Sequence, residues 1–451
     1  MNVSIIGGGY VGLVSAVCFA DLGHFVQCIE HDDEKFNSLN LGKIPFYEPE
    51  LQEKFQKTVD RKTLSIRPKI DPSIFESDII ILAVGTPMTS SGKANLTYLF
   101  SAVSEIISLA KTATFSSIII TTKSTVPVGT GKQIQNLILD AGLSEKISVA
   151  SNPEFLREGS AVYDFFHPDR IIIGCENTDV FEKFKSLYKA TVKSSRPIVQ
   201  VSIATAELSK YAANTFLATK ISFINELAIL CDKVGADIKE TAKLMGMDGR
   251  IGKYFLNPSP GYGGSCFPKD TSALQYMGKE NGIDLQVVSA AIKANNRQIH
   301  YCYSIIKTIF NQSLMGKTIS ILGTAFKPNT DDIRESASLK LIDLLLKDNV
   351  TIHFTDPEAL LNTKNVYNDA NVHSFKTAYE CANGSDAVVL MTEWNSYRCL
   401  DLKKLHDLMR QPNFIDFRLI YNKEELQAAG FNSYILGEGP ASHTFSQAHA
   451  F

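Results

Sequence analysis

The residues best equipped for chemistry lie between Asn257 and Thr271, in the stretch NPSPGYGGSCFPKDT. One cysteine, Cys266, follows Gly261, Gly263 and Gly264 and precedes Lys269 and Asp270. Glycines let a backbone approach a ligand closely, and a nearby ammonium favours the thiolate, the nucleophilic form of cysteine. A structural thiol in a Gly/Pro turn would look the same if the cysteine stood alone. Here small residues, a cation and a carboxylate crowd one turn, which favours a reactive thiol.

A second set of residues points to a phosphate-bearing ligand. Gly7, Gly9 and Gly12 in GGGYVG have the GxGxxG spacing, after an apolar run and before Leu13 to Leu22. Glu30 closes the next apolar run, Phe25 to Ile29. Such glycines permit a tight turn and a close pyrophosphate at a helix N-terminus, while the acid bonds ribose hydroxyls. The fingerprint alone is weak; strand, helix and correctly placed acid together predict a dinucleotide site.

The positioning elements follow from the pattern of apolar runs. DIIILAVGTP (78–87) and SSIIITTKSTVP (116–127) read as buried parallel strands whose loops carry Thr86, Ser124 and Thr125. In an open parallel sheet, ligands gather at the carboxyl ends of strands. ISVASNPEFLREGSA (147–161) adds a strand and a charged loop with Glu154, Arg157 and Glu158, and RIIIGC and PIVQVS complete this half. Ile203 to Val234 holds neither Gly nor Pro, is apolar at helical spacing and stops at Gly235, which predicts one long helix. Lys210 and Asn214 fall on one face of it.

Beyond the glycine loop the alternation restarts with TISILGTAF, TIHFTDP, DAVVLMTEW and NFIDFR, separated by helical stretches such as Ser336 to Leu346. The expected fold is therefore α/β, with two Rossmann-like doubly wound domains joined by a long central helix. The second has only Gly323 at its first turn, too little for its own dinucleotide, while Lys327 and Arg334 suit phosphate. The expected limits are 1–202, 203–312 and 313–437, with a disordered tail at 438–451.

Composition narrows the classes. In 451 residues, 44% hydrophobic and 21% charged is ordinary for a globular protein, and a net charge of −3 gives no bulk reason for nucleic acid or an anionic membrane as partner. The eight cysteines show no CxxC pair, so neither zinc nor a disulfide framework is suggested, and a reducing, cytoplasmic compartment fits. Met1 to Leu22 is apolar but lacks a basic start and is broken by glycines, unlike a signal peptide.

The motifs GGGYVG, PFYEPEL, VGTP, KSTVP, NPEFLREG, AELSKYAANTF, GRIGKYFLNPSPGYGGSCFPKD, FKPNTDDIRES and DFR occur in an order that resembles the UDP-glucose/GDP-mannose dehydrogenase family. Glu50 departs from the pattern, which has glycine there, and reads as a surface change. The resemblance implies a four-electron oxidation of the sugar C6 alcohol to the acid, with two NAD consumed in turn. UDP-glucose is the implied substrate, with GDP-mannose or a UDP-hexosamine as the alternative. A thiolate at Cys266 would make the intermediate aldehyde tetrahedral as a thiohemiacetal, and a second oxidation would give a thioester for water to cleave. A two-electron hydroxyacid dehydrogenase shares the first half and the long helix yet has no use for such a cysteine, and a non-catalytic nucleotide binder would lose Cys266, Lys210 and Glu158.

The resemblance also implies roles residue by residue. Lys210 and Asn214 stabilise oxyanions and position a water, Asp270 bonds within that network, and Thr125 and Glu158 match the family's threonine and hydrolytic base. Gly7, Gly9, Tyr10, Val11, Gly12, Glu30, Lys35, Thr86, Thr125, Glu158, Lys269 and Arg334 are expected at NAD. The nucleotide sugar is expected against Glu154, Phe155, Leu156 and Arg157, then Lys210 and Asn214, then Tyr254, Phe255, Leu256 and Asn257. Gly263, Cys266, Phe326 and Lys327 complete that expectation. Arg250 is expected to reach the substrate of a neighbouring subunit, within a homodimer or higher homo-oligomer, and Arg418 the sugar or uracil end.

Overall fold

The computed structural model describes residues 1–191 and 197–438, and its chain divides into two compact units. The first comprises Met1–Ala213 with Tyr276–Gly282, and the second Asn214–Gln275 with Ile283 onward.

The first unit is built on a sheet of eight strands: β1 (Asn2–Ile6), β2 (Phe25–Ile29), β3 (Leu64–Arg67), β4 (Ile79–Leu82), β5 (Ile118–Thr122), β6 (Ile147–Ser151), β7 (Ile171–Gly174) and β8 (Ile198–Val201). Their spatial order is β3-β2-β1-β4-β5-β6-β7-β8, and all pairs are parallel except β6 with β7. The central strands read as unbroken apolar runs, IIIL in β4 and IIITT in β5, because both sheet faces are covered. One buried cluster packs Leu13, Val17 and Phe19 of helix Tyr10–Asp21 against Ile5, Cys28 and Ile81. The other packs Leu99, Val103 and Ile106 against Ile6, Ile80 and Ile120. Strand order reverses at β1 and β4, which places the loops after β1, β4 and β5 at the switch point where doubly wound sheets take ligands.

The second unit repeats the plan with six parallel strands: β9 (Thr318–Leu322), β10 (Thr351–Thr355), β11 (Val372–Ser374), β12 (Ala387–Leu390), β13 (Asn413–Asp416) and β14 (Asn432–Ile435). Their order is β11-β10-β9-β12-β13-β14. Ser336 accepts from the Ser338 N–H and so starts the helix Ala337–Leu346 one residue inside the expected stretch.

The long helix spans Ile203–Val234 as expected, 32 residues or about 48 Å. Gly235 ends it at φ 79°, where a side chain would be strained. The expected tail lies outside the described residues except for Glu438, whose carboxylate pairs with Lys239 Nζ at 3.1 Å. No helix among the described residues is long and apolar enough to cross a membrane.

Candidate active site

The glycine turn after β1 has the shape the fingerprint requires. Gly7 takes φ 104°, and a Cβ there would lie 2.7 Å from the Ala83 carbonyl. A Cβ on Gly12 would overlap the Gly7 carbonyl, so both positions exclude side chains. At Gly9 a Cβ would meet no protein atom, leaving room where a pyrophosphate would pass at the start of helix Tyr10–Asp21. Glu30, at the end of β2, accepts from the Gly8 N–H at 3.0 Å and the Asp32 N–H at 2.9 Å. Each carboxylate oxygen keeps acceptor capacity for a ribose hydroxyl. These residues fit NAD.

Around this turn, Thr86 Oγ1 donates to the Thr125 carbonyl at 2.9 Å, so the loops after β4 and β5 close on each other. Val11 packs on the core, and Lys35 is exposed at the first turn of helix Asp33–Asn40. The Tyr10 hydroxyl donates to Glu48 and accepts from the Gly159 N–H, while its backbone opens the helix after Gly9.

The loop after β6 carries the charged residues. Lys210 Nζ lies 2.9 Å from Glu154 Oε1 with both side chains buried, and 5.4 Å from the centre of the Phe155 ring. The Arg170 guanidinium stacks on Phe155 at 3.6 Å. The Leu156 N–H also donates to Glu154, and Glu158 is half-buried at the end of the loop. Arg170 was not among the expected residues. Its only sequence signal is a cation at the entry to a strand, and its partner is set by tertiary packing.

In the second unit, the Cys266 carbonyl accepts from the Asp270 N–H at 2.8 Å and so opens the helix Phe267–Glu280. A thiol at a helix N-terminus is favoured as thiolate by the dipole. No disulfide joins any of the eight cysteines. Burial pushes the Cys28 thiol up to about 12 and those of Cys18, Cys302 and Cys381 higher still, which makes them inert. Cys266 is only partly shielded, with Ser265 Oγ 3.5 Å from its sulfur.

Packing explains the glycines before it. A Cβ on Gly263 would strike the Glu335 carbonyl, and one on Gly264, at φ 78°, would come 2.7 Å from the Phe326 ring. The Gly264 N–H donates to the Arg334 carbonyl at 2.9 Å, so the cysteine loop lies against the FKPNTDDIRES loop that follows β9. Behind it, Asn295 grips the Tyr262 backbone with bonds of 2.7 and 3.1 Å. Asn225 Oδ1 takes the Ser259 N–H at 2.7 Å, and Gln298 reaches the Ser259 carbonyl at 3.0 Å. These three buried amides were missed, though polar residues on an apolar helix face are the signal that could have found them.

The expected network around Asp270 forms in part. Asn214 Nδ2 donates to Asp270 Oδ2 at 2.7 Å, Lys269 pairs with the other oxygen, and Asp270 is fully buried. Arg418 spans strand ends, donating to the Met391 carbonyl at 2.6 Å and the Phe326 carbonyl at 3.2 Å. Lys327 sits 5.4 Å from the centre of the Phe326 ring.

Other expected residues have partners of their own within the protein. Leu256 was expected at the nucleotide sugar, but its side chain is buried in the core, leaving only its backbone for a ligand. Arg157, Arg250 and Arg334 each turn back onto a carboxylate close in sequence, Asp164, Asp248 and Asp332, at 2.6, 2.5 and 2.7 Å. Near Arg250, Tyr254 and Asn257 are exposed, and Phe255 holds φ 63° beside Phe267.

The second sheet has no counterpart of the dinucleotide turn. Asp356, which follows β10 as Glu30 follows β2, accepts from the N–H groups of Thr324, Ala325, Glu358 and Ala359 and from Trp394 Nε1. Its carboxylate is used up in building the loop, as the lone Gly323 had suggested.

Comparison with known proteins agrees with this geometry. Residues 1–192 match the NAD binding domain of the UDP-glucose/GDP-mannose dehydrogenase family, 204–297 its central domain and 320–423 its UDP binding domain. The chain is 43% identical over 441 residues to UDP-glucose 6-dehydrogenase YwqF of Bacillus subtilis, covering 97% of this chain and 98% of that one. It is 39% identical over 438 residues to a UDP-glucose 6-dehydrogenase of Rickettsia bellii, covering 97% and 99%. The solved UDP-glucose dehydrogenase of Pyrobaculum islandicum superposes with a TM-score of 0.88 at 33% identity, over 96% of each chain.

Proposed function

The chain belongs to the UDP-glucose/GDP-mannose dehydrogenase family, and from that premise we propose that it oxidises the C6 alcohol of UDP-glucose to the acid. The observation that carries this reading is Cys266, a partly shielded thiol opening a helix among glycines that exclude side chains. A two-electron alcohol dehydrogenase has no work for such a group.

NAD, bound at the Gly7–Gly12 turn and Glu30, supplies the hydride acceptor. The chain's residues do the rest. The Cys266 sulfur adds to the aldehyde carbon, and the carbonyl oxygen becomes an alkoxide that needs a donor. Lys210 and Asn214 are the donors in this reading, with Asp270 holding the Asn214 amide at 2.7 Å. Oriented donors of this kind are worth roughly 3–4 kcal/mol each. After the second oxidation the adduct is a thioester. Glu158 takes a proton from water, the hydroxyl adds to the acyl carbon and the C–S bond breaks. Thr125, the match to the family's threonine, belongs to the same catalytic set in this reading. Lys327, Phe155, Arg157 and Arg418 face the nucleotide sugar in this reading, and Lys35, Thr86, Lys269 and Arg334 the cofactor.

The working division is NAD binding in 1–202, covalent chemistry in 203–312 and nucleotide binding in 313–437. A second copy of the chain is the proposed partner. Phe216, Phe223 and Leu230 recur every seven residues on the long helix and are 66%, 49% and 52% exposed, an apolar stripe suited to a matching helix. The cytoplasm is the proposed compartment, where eight thiols stay reduced.

The test is NADH formation against a panel of UDP- and GDP-sugars. UDP-glucose should give the highest kcat/KM and two NADH per acid formed. A GDP-sugar or a UDP-hexosamine in first place would overturn the substrate, and one NADH per turnover would overturn the reaction.

A further inference from the structure

Glu48 is an acid with an unusual set of partners. It lies in PFYEPEL, remote in sequence from the charged loop after β6, and is only 5% exposed. Its Oε1 accepts from the Ala161 N–H at 2.7 Å, and its Oε2 accepts from the Gly159 N–H at 2.6 Å and from the Tyr10 hydroxyl. A buried carboxylate facing three donors is held firmly, and it holds its donors in return.

Two of those donors, the Gly159 and Ala161 N–H groups, lie just after Glu158 in the chain. The helix Ala161–Phe166 has Ser160 as its cap, yet the Ser160 side chain makes no capping bond. Glu48 takes the Ala161 N–H instead, doing a cap's work from 113 residues away. Gly159, at φ 76°, gives its N–H to the same carboxylate. On the other side, the Arg157 backbone N–H donates to Asp164 at 2.9 Å, with the guanidinium on the same acid. Glu158 is therefore flanked by two backbone groups that are each tied to a carboxylate. Through Tyr10, Glu48 also reaches the residue that follows the Gly7–Gly9 turn.

We propose that Glu48 is the positioning residue for Glu158, fixing the backbone beside the base that activates water on the thioester. This rests on the reading of Glu158 given above. Glu48 touches no reacting atom. It acts by denying the Gly159 peptide the freedom to turn, and a misplacement of about 1 Å costs a general base about a hundredfold.

Glu48→Gln presents an amide N–H₂ to one of the two backbone N–H groups and so releases one anchor. The charge-preserving Glu48→Asp pulls the carboxylate back from both, and is the variant to read if Glu48→Gln does not fold. Rapid mixing with UDP-glucose and NAD should show a burst of about two NADH per active site, then turnover slowed by about a hundredfold. KM for UDP-glucose should change little. Hydroxylamine should restore turnover, because its nitrogen attacks the acyl carbon without a base, the C–S bond breaks and a hydroxamate leaves. Loss of the burst, or no response to hydroxylamine, would overturn the role. Glu158→Gln run alongside separates the two readings. If it shows the burst and the rescue while Glu48→Gln does not, Glu48 alone is misassigned. If Glu158→Gln shows neither, the assignment of Glu158 falls first.

Discussion

Lys210 Nζ stands 2.9 Å from Glu154 Oε1, with only 4% and 5% of the two side chains exposed. Lys210 comes from the long helix and Glu154 from the loop after β6, so the pair joins two elements of the first unit. A buried ammonium without its counter-charge is costly, and removing one partner of such a pair typically costs about 3–5 kcal/mol. Glu154→Ala should therefore lower the free energy of urea unfolding by about that much. Glu154→Gln, which keeps an acceptor, should cost less than Glu154→Ala. Equal losses for the two would mean that the charge, which both substitutions remove, and not the acceptor or the shape is what the site requires.

Glu30 should set the choice between NAD and NADP. Its carboxylate is already oriented by the Gly8 and Asp32 N–H groups, and a 2′-phosphate would bring like charge against it. Glu30→Gln removes the repulsion and keeps an acceptor. The NADP to NAD ratio of kcat/KM should rise about tenfold, equivalent to about 1.4 kcal/mol. An unchanged ratio would mean that another group rejects the phosphate.

How much was readable in advance depended on how local each signal was. Ile203 to Val234 was legible to the residue, because the absence of Gly and Pro inside and Gly235 outside are both local facts. The central strands were legible because burial on both faces writes unbroken apolar runs. Leu64–Arg67, Val372–Ser374 and Asn432–Ile435 were not, and all three form sheet edges, where short strands carry mixed polarity. The strand β7 was legible as an apolar run, but its antiparallel direction was not, since IIIG does not encode the direction of its neighbour. At the site, spacing could place Gly12 and Cys266. It could not show that three expected arginines turn onto nearby acids, which depends on rotamers.

Glu50 reads as a surface change, and the structure adds why glycine suits that position. The residue is exposed at φ 63°, ψ −13°, just before the helix Leu51–Asp60. A left-handed conformation costs an ordinary side chain roughly 1–2 kcal/mol, and glycine returns part of that through unfolded-chain entropy. Glu50→Gly should stabilise the chain by about 0.5–1 kcal/mol, read as a higher urea midpoint with unchanged slope. A lower midpoint would show that attraction between Glu50 and Lys54 outweighs the strain.

Cys266→Ala separates the two halves of the proposed reaction. The substitution keeps the residues of the Gly7–Gly12 turn, Glu30 and the Lys210–Glu154 pair. Binding and interconversion of alcohol and aldehyde should therefore survive. Acid should not form, because an aldehyde carbon must first be made tetrahedral before it can lose a second hydride, and without the thiolate only its slow hydration does this. Oxidation of an alcohol by NAD is uphill near neutral pH, so the surviving half is best read in reverse. Supplied with the C6 aldehyde of UDP-glucose and NADH, Cys266→Ala should consume NADH readily while making no UDP-glucuronate from UDP-glucose and NAD. Cys266→Ser tests the same point with a poorer nucleophile. It should also form little acid, because a serine hydroxyl without an adjacent base is a weak nucleophile. Acid production near the unmodified rate by Cys266→Ala would remove the covalent step and leave the helix-opening thiol without a role.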